Sequence, residues 1–312
     1  MTLVVYSVVS AAVLVFIGVS VARAIRFARS PLHLRWELYP VPHEAPERVE
    51  HGGSYLEQSE WWRQPRRKHL AGEVRFMVPE MLFLRALWTF NRPLWYRSFP
   101  FHFGLYLLAG TCALLFSTAV VARLVPGVAA GAAIEIVRGL AGVSGITGLV
   151  LAVTGAAGLL HRRLTDPALR VSTAPGDVFN LLFFIMALGL LGAGYAARPA
   201  GAPGAFALVS GLVSWNLDIQ ASPLLAAGIV ATALLAAYIP MTHMAHFIAK
   251  YFTYHSVRWD DEPMMHSARR AAALAEYLAF RPTWAASHIR KPGDTPTWAE
   301  VVASNPSQET RR

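Results

Sequence analysis

The sequence predicts an all-α membrane protein with five transmembrane helices, its N-terminus outside, its C-terminus in the cytoplasm and a long first cytoplasmic loop. Three observations lead there. Of 312 residues, 54% are hydrophobic and only 15% charged, and the mean hydropathy of +0.39 is high for a soluble domain of this size. Five segments supply the roughly 20 apolar residues that a helix needs to cross a bilayer. The basic residues are shared unevenly among the connecting segments, and that asymmetry orients the spans.

The first span, Leu3–Ala22, has no charge and stops at Arg23. No basic stretch precedes it and no cleavage signature follows, so it reads as a signal anchor that stays in the chain. Residues 23–100 form the first cytoplasmic loop, rich in Trp, Pro and Arg: "RWELYPVPHEAPERVE", then "YLEQSEWWRQPRRKHL". Aromatic residues beside basic ones suit a headgroup region or a docking face. The run Arg63–His69 is a solvated or lipid-facing basic patch, or a partner contact.

Span two, Phe101–Ala122, is uncharged and stops at Arg123; span three, Gly139–Leu160, follows Arg138 and ends before "HRR". Span four, Val178–Ala197, follows Asp177 and ends at Arg198. The stretch Ala200–Leu217 is short and interrupted by Pro203 and several glycines, which predicts an interfacial re-entrant or amphipathic piece. Span five, Ser222–Ala249, has His243 and His246 near its end and stops at Lys250. Residues 251–312 are a polar cytoplasmic tail whose end, "SNPSQETRR", is expected to be disordered. The division is thus 1–22 (span one), 23–100 (docking loop), 101–250 (four-helix membrane core) and 251–312 (tail).

With five spans, 25 of the 28 Lys and Arg residues fall on the side of the first loop, the turn between spans three and four, and the tail. The positive-inside rule puts that side in the cytoplasm; a sixth span would send the basic tail outside. The formal net charge of +9 is accounted for by these retained loops, with no nucleic-acid partner implied. A single cysteine excludes an internal disulfide framework and a CxxC knuckle, so any iron–sulfur cluster must sit on another chain. Internal repeats and helices broken near the midplane, the marks of many transporters, are not seen in the sequence.

All eleven histidines lie in the cytoplasmic segments or at the cytoplasmic ends of spans. Ionisable residues inside a span are costly and suggest function. His102 opens a span that climbs outward and His246 ends one that descends inward, so both lie at similar depth. Two facing imidazoles at one depth suit a haem iron with both axial positions filled, which moves electrons and does not bind oxygen. Gly104 and Gly110 would let a porphyrin approach the helix. Each histidine taken singly also fits an interfacial polar residue bonded to a neighbouring helix.

Three stretches together resemble one family. "FHFGLYLL" (Phe101–Leu108), "LLHRRLTDPALRVSTAPGDVFNLL" (Leu159–Leu182) and "YIPMTHMAHFIAKYF" (Tyr238–Phe252) are similar to the cytochrome b gamma subunit of respiratory nitrate reductase and its relatives. Those relatives include membrane subunits that accompany heterodisulfide-reductase-like and dissimilatory sulfite-reductase-linked iron–sulfur proteins. The likeness covers roughly residues 95–255, and the long first loop with "WELYPVPHE" and "SEWW" resembles the heterodisulfide-reductase-associated branch. It implies electron exchange between a quinone pool, menaquinone or ubiquinone, and a cytoplasmic iron–sulfur subunit. The setting it implies is the bacterial inner membrane, and no substrate chemistry falls on this chain.

Family members hold two stacked b haems. Carried over, His102 and His246 match the pair nearer the cytoplasm, and the outer pair falls on Cys112 and Gly228. Glycine cannot ligate iron, so one haem b per chain is implied, with the quinone site closer to His102 and His246. Of the remaining candidates, His161 is an interfacial or haem-propionate partner. His243 is a propionate or quinone contact, or a ligand if the register differs. Arg138 is near the family's basic quinone-site residue or is an ordinary interfacial arginine. Cys112 reads as a packing residue. The alternative from another class is a non-redox membrane anchor for a cytoplasmic enzyme.

Overall fold

The computed structural model describes residues 1–30, 59–63, 69–125, 131–259, 266–283 and 295–303. The expectations for "RWELYPVPHEAPERVE", for residues 64–68 of the basic patch, for His33, His43, His51 and His288, and for the chain's end lie outside the described residues. Among those described there is no strand; every regular element is helical. The chain divides into two compact units, residues 1–25 with 73–248, and residues 26–72 with 249–312.

The first unit holds the long helices. In chain order the helices are α1 (Thr2–Ala28), α2 (Leu70–Leu82), α3 (Arg85–Phe90), α4 (Arg92–Leu124) and α5 (Ala132–Thr165). After one helical turn at Pro167–Arg170 come α6 (Pro175–Ala196), α7 (Ala205–Ser214), α8 (Pro223–Tyr238) and α9 (His246–Thr253). Among the described residues, five stretches are long and apolar enough to cross a membrane: Thr2–Ala28, Arg92–Leu124, Ile134–Thr165, Pro175–Ala196 and Pro223–Met241. They fall on the five predicted spans. The ten residues of α7 rise about 15 Å, half a hydrocarbon core, so this piece is too short to span.

The starts follow from local chemistry. Asn91 accepts the Leu94 amide at the head of α4, with Pro93 in its first turn. Asp177 accepts the amide of Ala174 at the head of α6. Within α4, Pro100 has no N–H to give to the Tyr96 carbonyl, yet the helix runs through it.

Packing relies on small residues. A side chain on Gly104 would meet Gly148 O at 2.7 Å and Ala152 Cα at 2.9 Å, and one on Gly155 would meet Phe101 Cα at 2.7 Å. Helices α4 and α5 therefore lie backbone to backbone and antiparallel, as helices in lipid do when small side chains line their seam. The same holds for α6 and α8, where Gly194 lies against Leu225 and Gly228 against Leu191. Thr232 and Tyr238 of α8 donate to the Ala187 carbonyl and to Asn180 Oδ1 of α6. Phe101, Ala152, Phe184, Ala187 and Leu235 form the core where α4, α5, α6 and α8 converge. Large apolar residues such as Leu14, Phe116, Val143 and Met186 point outward, the reverse of a soluble bundle.

Helix α1 runs alongside α8 in the same direction: Tyr6 packs with Ala226, and Arg23 donates to the Met241 carbonyl at 2.8 Å. Tyr6 also donates to the Asn216 carbonyl.

One expectation is corrected. Span five was expected to continue as helix to Ala249. Instead α8 ends at Tyr238, and two 3-10 turns, Ile239–Met241 and His243–Ala245, separate it from α9. Pro240 cannot donate to the preceding turn. Thr242 turns extended, and its hydroxyl accepts the Met244 amide, so the chain restarts with His246 as the first residue of α9.

In the second unit, Arg269 donates to the Ala28 carbonyl from helix α10 (Ala268–Leu278), which Ser267 caps through the Arg270 amide. Phe27 packs on Phe252. A last helix, α11 (Trp298–Ala303), joins α10's end by a bond from the Trp298 amide to the Phe280 carbonyl.

Candidate functional site

His102 lies on α4, eleven positions into the helix, with Phe101 beside it in the core. Its Nδ1 is 2.8 Å from the Ser98 carbonyl and 3.2 Å from Ser98 Oγ. A carbonyl only accepts, so in the neutral ring Nδ1 bears the proton and the lone pair is on Nε2. Ser98 itself is buried. An imidazole whose far nitrogen donates to a backbone carbonyl is the arrangement that fixes tautomer and ring orientation in metal-ligating histidines.

His246 comes to this point from the other end of the chain. Because the backbone breaks at Pro240 and restarts at His246, its ring reaches His102, with centroids 6.0 Å apart and planes at 69°. Two imidazoles bonded through Nε2 at about 2 Å to a single metal would hold their centroids about 6 Å apart. The centroid spacing of the pair matches that distance. Helices α4 and α8 do not share a packed seam here, unlike α4 with α5 or α6 with α8; the two histidines meet through side chains alone.

The other predicted residues lie elsewhere. His243 is in the 3-10 turn before α9, two-thirds exposed, with Nε2 3.7 Å from Asp177 Oδ1. Asp177 also takes Arg163 at 3.0 Å, so one carboxylate joins the end of α5, the start of α6 and the turn after α8. His161 is exposed near the end of α5. From the pairing of Gly104 with Ala152 and Phe101 with Gly155, it stands about 11 Å along the axis from His102. Arg138 is about 24 Å away in the opposite direction by the same measure. It pairs with Glu135 at 2.7 Å, and its guanidinium lies over the Phe206 ring of α7 at 5.0 Å. The structure therefore brings His102 and His246 together and leaves His161 and Arg138 apart from them.

Two expectations about small residues separate. Gly104 faces α5, whose backbone fills the space a porphyrin would need, so its role is helix packing. Gly110 has nothing within 4 Å of its missing side chain. At the outer pair, Cys112 is exposed, and Gly228 is pressed on α6, where a Cβ would lie 2.6 Å from Leu191 Cα. The residues there do not fit a second haem.

Ser98 and Asp177 were missed in the sequence. Ser98 lies four residues before His102, the spacing that puts two side chains on one helix face, and that signal was available. Asp177 lies 66 positions from His243 in the sequence, and nothing local to either residue shows their pairing. No protein-family model, curated protein or solved structure matches this chain.

Proposed function

We propose that the chain is a membrane cytochrome b subunit that passes electrons between the quinone pool and a cytoplasmic iron–sulfur subunit of heterodisulfide-reductase type. In this reading it resides in the bacterial inner membrane, with its N-terminus outside and its basic loops inside. The observation that carries the proposal is the His102–His246 pair, 6.0 Å between centroids, with the His102 tautomer set by Ser98. A haem b held there would supply one-electron exchange at an iron with no open position. His102 and His246 would hold the haem. The Ser98 carbonyl aims Nε2 and raises its basicity. Asp177, itself paired with Arg163, holds His243, which in this reading is an outer contact and not a ligand.

One haem per chain is the expected stoichiometry, supported by the packing of Gly228 against Leu191. The test is the pyridine haemochrome of the purified chain, related to protein by amino-acid analysis. A ratio near one is expected. A ratio near two requires ligands other than those named. A membrane-inserted chain that carries no haem points to the non-redox anchor instead.

A further inference from the structure

We propose that α2 is a lipid-facing helix whose apolar stripe lies against the acyl chains of the leaflet at the end of the bundle where α4 begins. The first observation is its polarity. Successive residues turn by about 100°, so Val74, Val78 and Met81 form one stripe, and they are 52%, 44% and 39% exposed. Glu80, on the other side of the same helix, is only 8% exposed. Its carboxylate accepts the Ala86 amide at 2.8 Å and so caps α3. A surface helix of a soluble protein turns its apolar stripe inward and its carboxylates outward; α2 buries Glu80 and leaves the stripe of Val74, Val78 and Met81 exposed.

The second observation is where α2 is held. Tyr106 of α4 donates to the Met81 carbonyl at 2.9 Å, and Trp95 Nε1 donates to the Phe83 carbonyl at 2.8 Å. Leu84 takes a left-handed conformation, φ 52°, to turn the chain from α2 into α3, which few large side chains adopt without support from their surroundings. The end of α2 is therefore fastened at the depth at which α4 becomes continuously apolar.

The third observation identifies what covers the stripe. Trp88, Trp95 and Tyr96 cluster beside it, at 4.8 and 5.5 Å between successive rings. The Arg92 guanidinium lies over Trp88 at 4.7 Å. Indoles, a phenol and an arginine gathered at one level are the composition of a membrane boundary, and exposed apolar side chains continue from α2 through Phe83 to Phe116 on α4. The stripe is an extension of the lipid-facing surface, and its occupant is phospholipid.

The experiment uses the full chain in phospholipid vesicles, with Cys112→Ala as background and single nitroxide labels at Val74→Cys, Val78→Cys and Arg75→Cys. Relaxation by lipid-soluble oxygen is compared with relaxation by a water-soluble nickel chelate. Labels at 74 and 78 are expected to favour oxygen several-fold, and the label at 75 to favour the chelate. Equal access of the chelate to all three sites would overturn the proposal. So would protection of 74 and 78 that appears only when a partner protein is added. The two apolar sites are read independently, so poor folding of one variant leaves the other decisive.

Discussion

Replacing Gly104 by alanine tests the packing that positions His102. The added methyl would stand 2.7 Å from the Gly148 oxygen and 2.9 Å from Ala152 Cα, against the 3.4 Å at which ordinary contact begins. These neighbours are backbone atoms, so relief requires α4 and α5 to part by a sizeable fraction of an ångström. Overpacking of this kind costs about 1–3 kcal/mol. Gly110→Ala is the matched control, because nothing lies within 4 Å of that position. Its greater helix propensity favours the folded state by up to about 1 kcal/mol. Unfolding in mixed micelles, followed by circular dichroism against the fraction of denaturing detergent, compares the two variants. Gly104→Ala should unfold at a clearly lower fraction than wild type and Gly110→Ala at the same or a higher one. Equal midpoints for both variants would refute the close α4–α5 seam.

Three further outcomes are expected. His246→Ala should abolish a low-spin b spectrum while the chain still inserts, and His243→Ala should keep the spectrum with a shifted potential, because His243 is held by Asp177; the opposite pattern reassigns the ligand. A reporter fused after Arg312 should be active only in the cytoplasm; periplasmic activity contradicts the orientation drawn from the basic residues. In the tail, bonds from the Thr297 amide and hydroxyl hold the Glu300 carboxyl below its ordinary value. A depressed carboxyl supports α11 above the ordinary glutamate range, and the support is lost as pH falls through the folded-state value, so the protection factor of the Val301 amide, the intrinsic exchange rate at the same pH over the observed one, should fall on acidification and lose that pH dependence in Glu300→Gln.

The five spans were legible because length and hydropathy are read directly from the sequence; each apolar helix overlaps its expected span, with ends that differ by up to nine residues. The meeting of His102 and His246 was anticipated from depth, yet the backbone that achieves it was not. Hydropathy runs unbroken through "AAYIPMTHMAHF" and hides the interruption at Pro240, since isoleucine, methionine and alanine are equally apolar in either conformation. Gly104 was read as room for a cofactor because a sequence does not tell which neighbour faces a glycine; the answer depends on the register of α4 against α5. The inversion of α2 was hidden for a different reason. Its stripe of Val74, Val78 and Met81 looks the same in sequence whether it is buried or exposed, and the burial of Glu80 depends on the Ala86 amide six residues on.

The break after α8 also bears on how the molecule is made. His102 enters the bilayer with the second span, whereas His246 is synthesised 144 residues later, beyond the fifth. During synthesis the first imidazole is inserted long before the second leaves the ribosome. Any group bridging the two can be captured only after the fifth apolar stretch and the turn that follows it have been made. A chain truncated at Met241 would retain all five apolar stretches and still be unable to complete the pair.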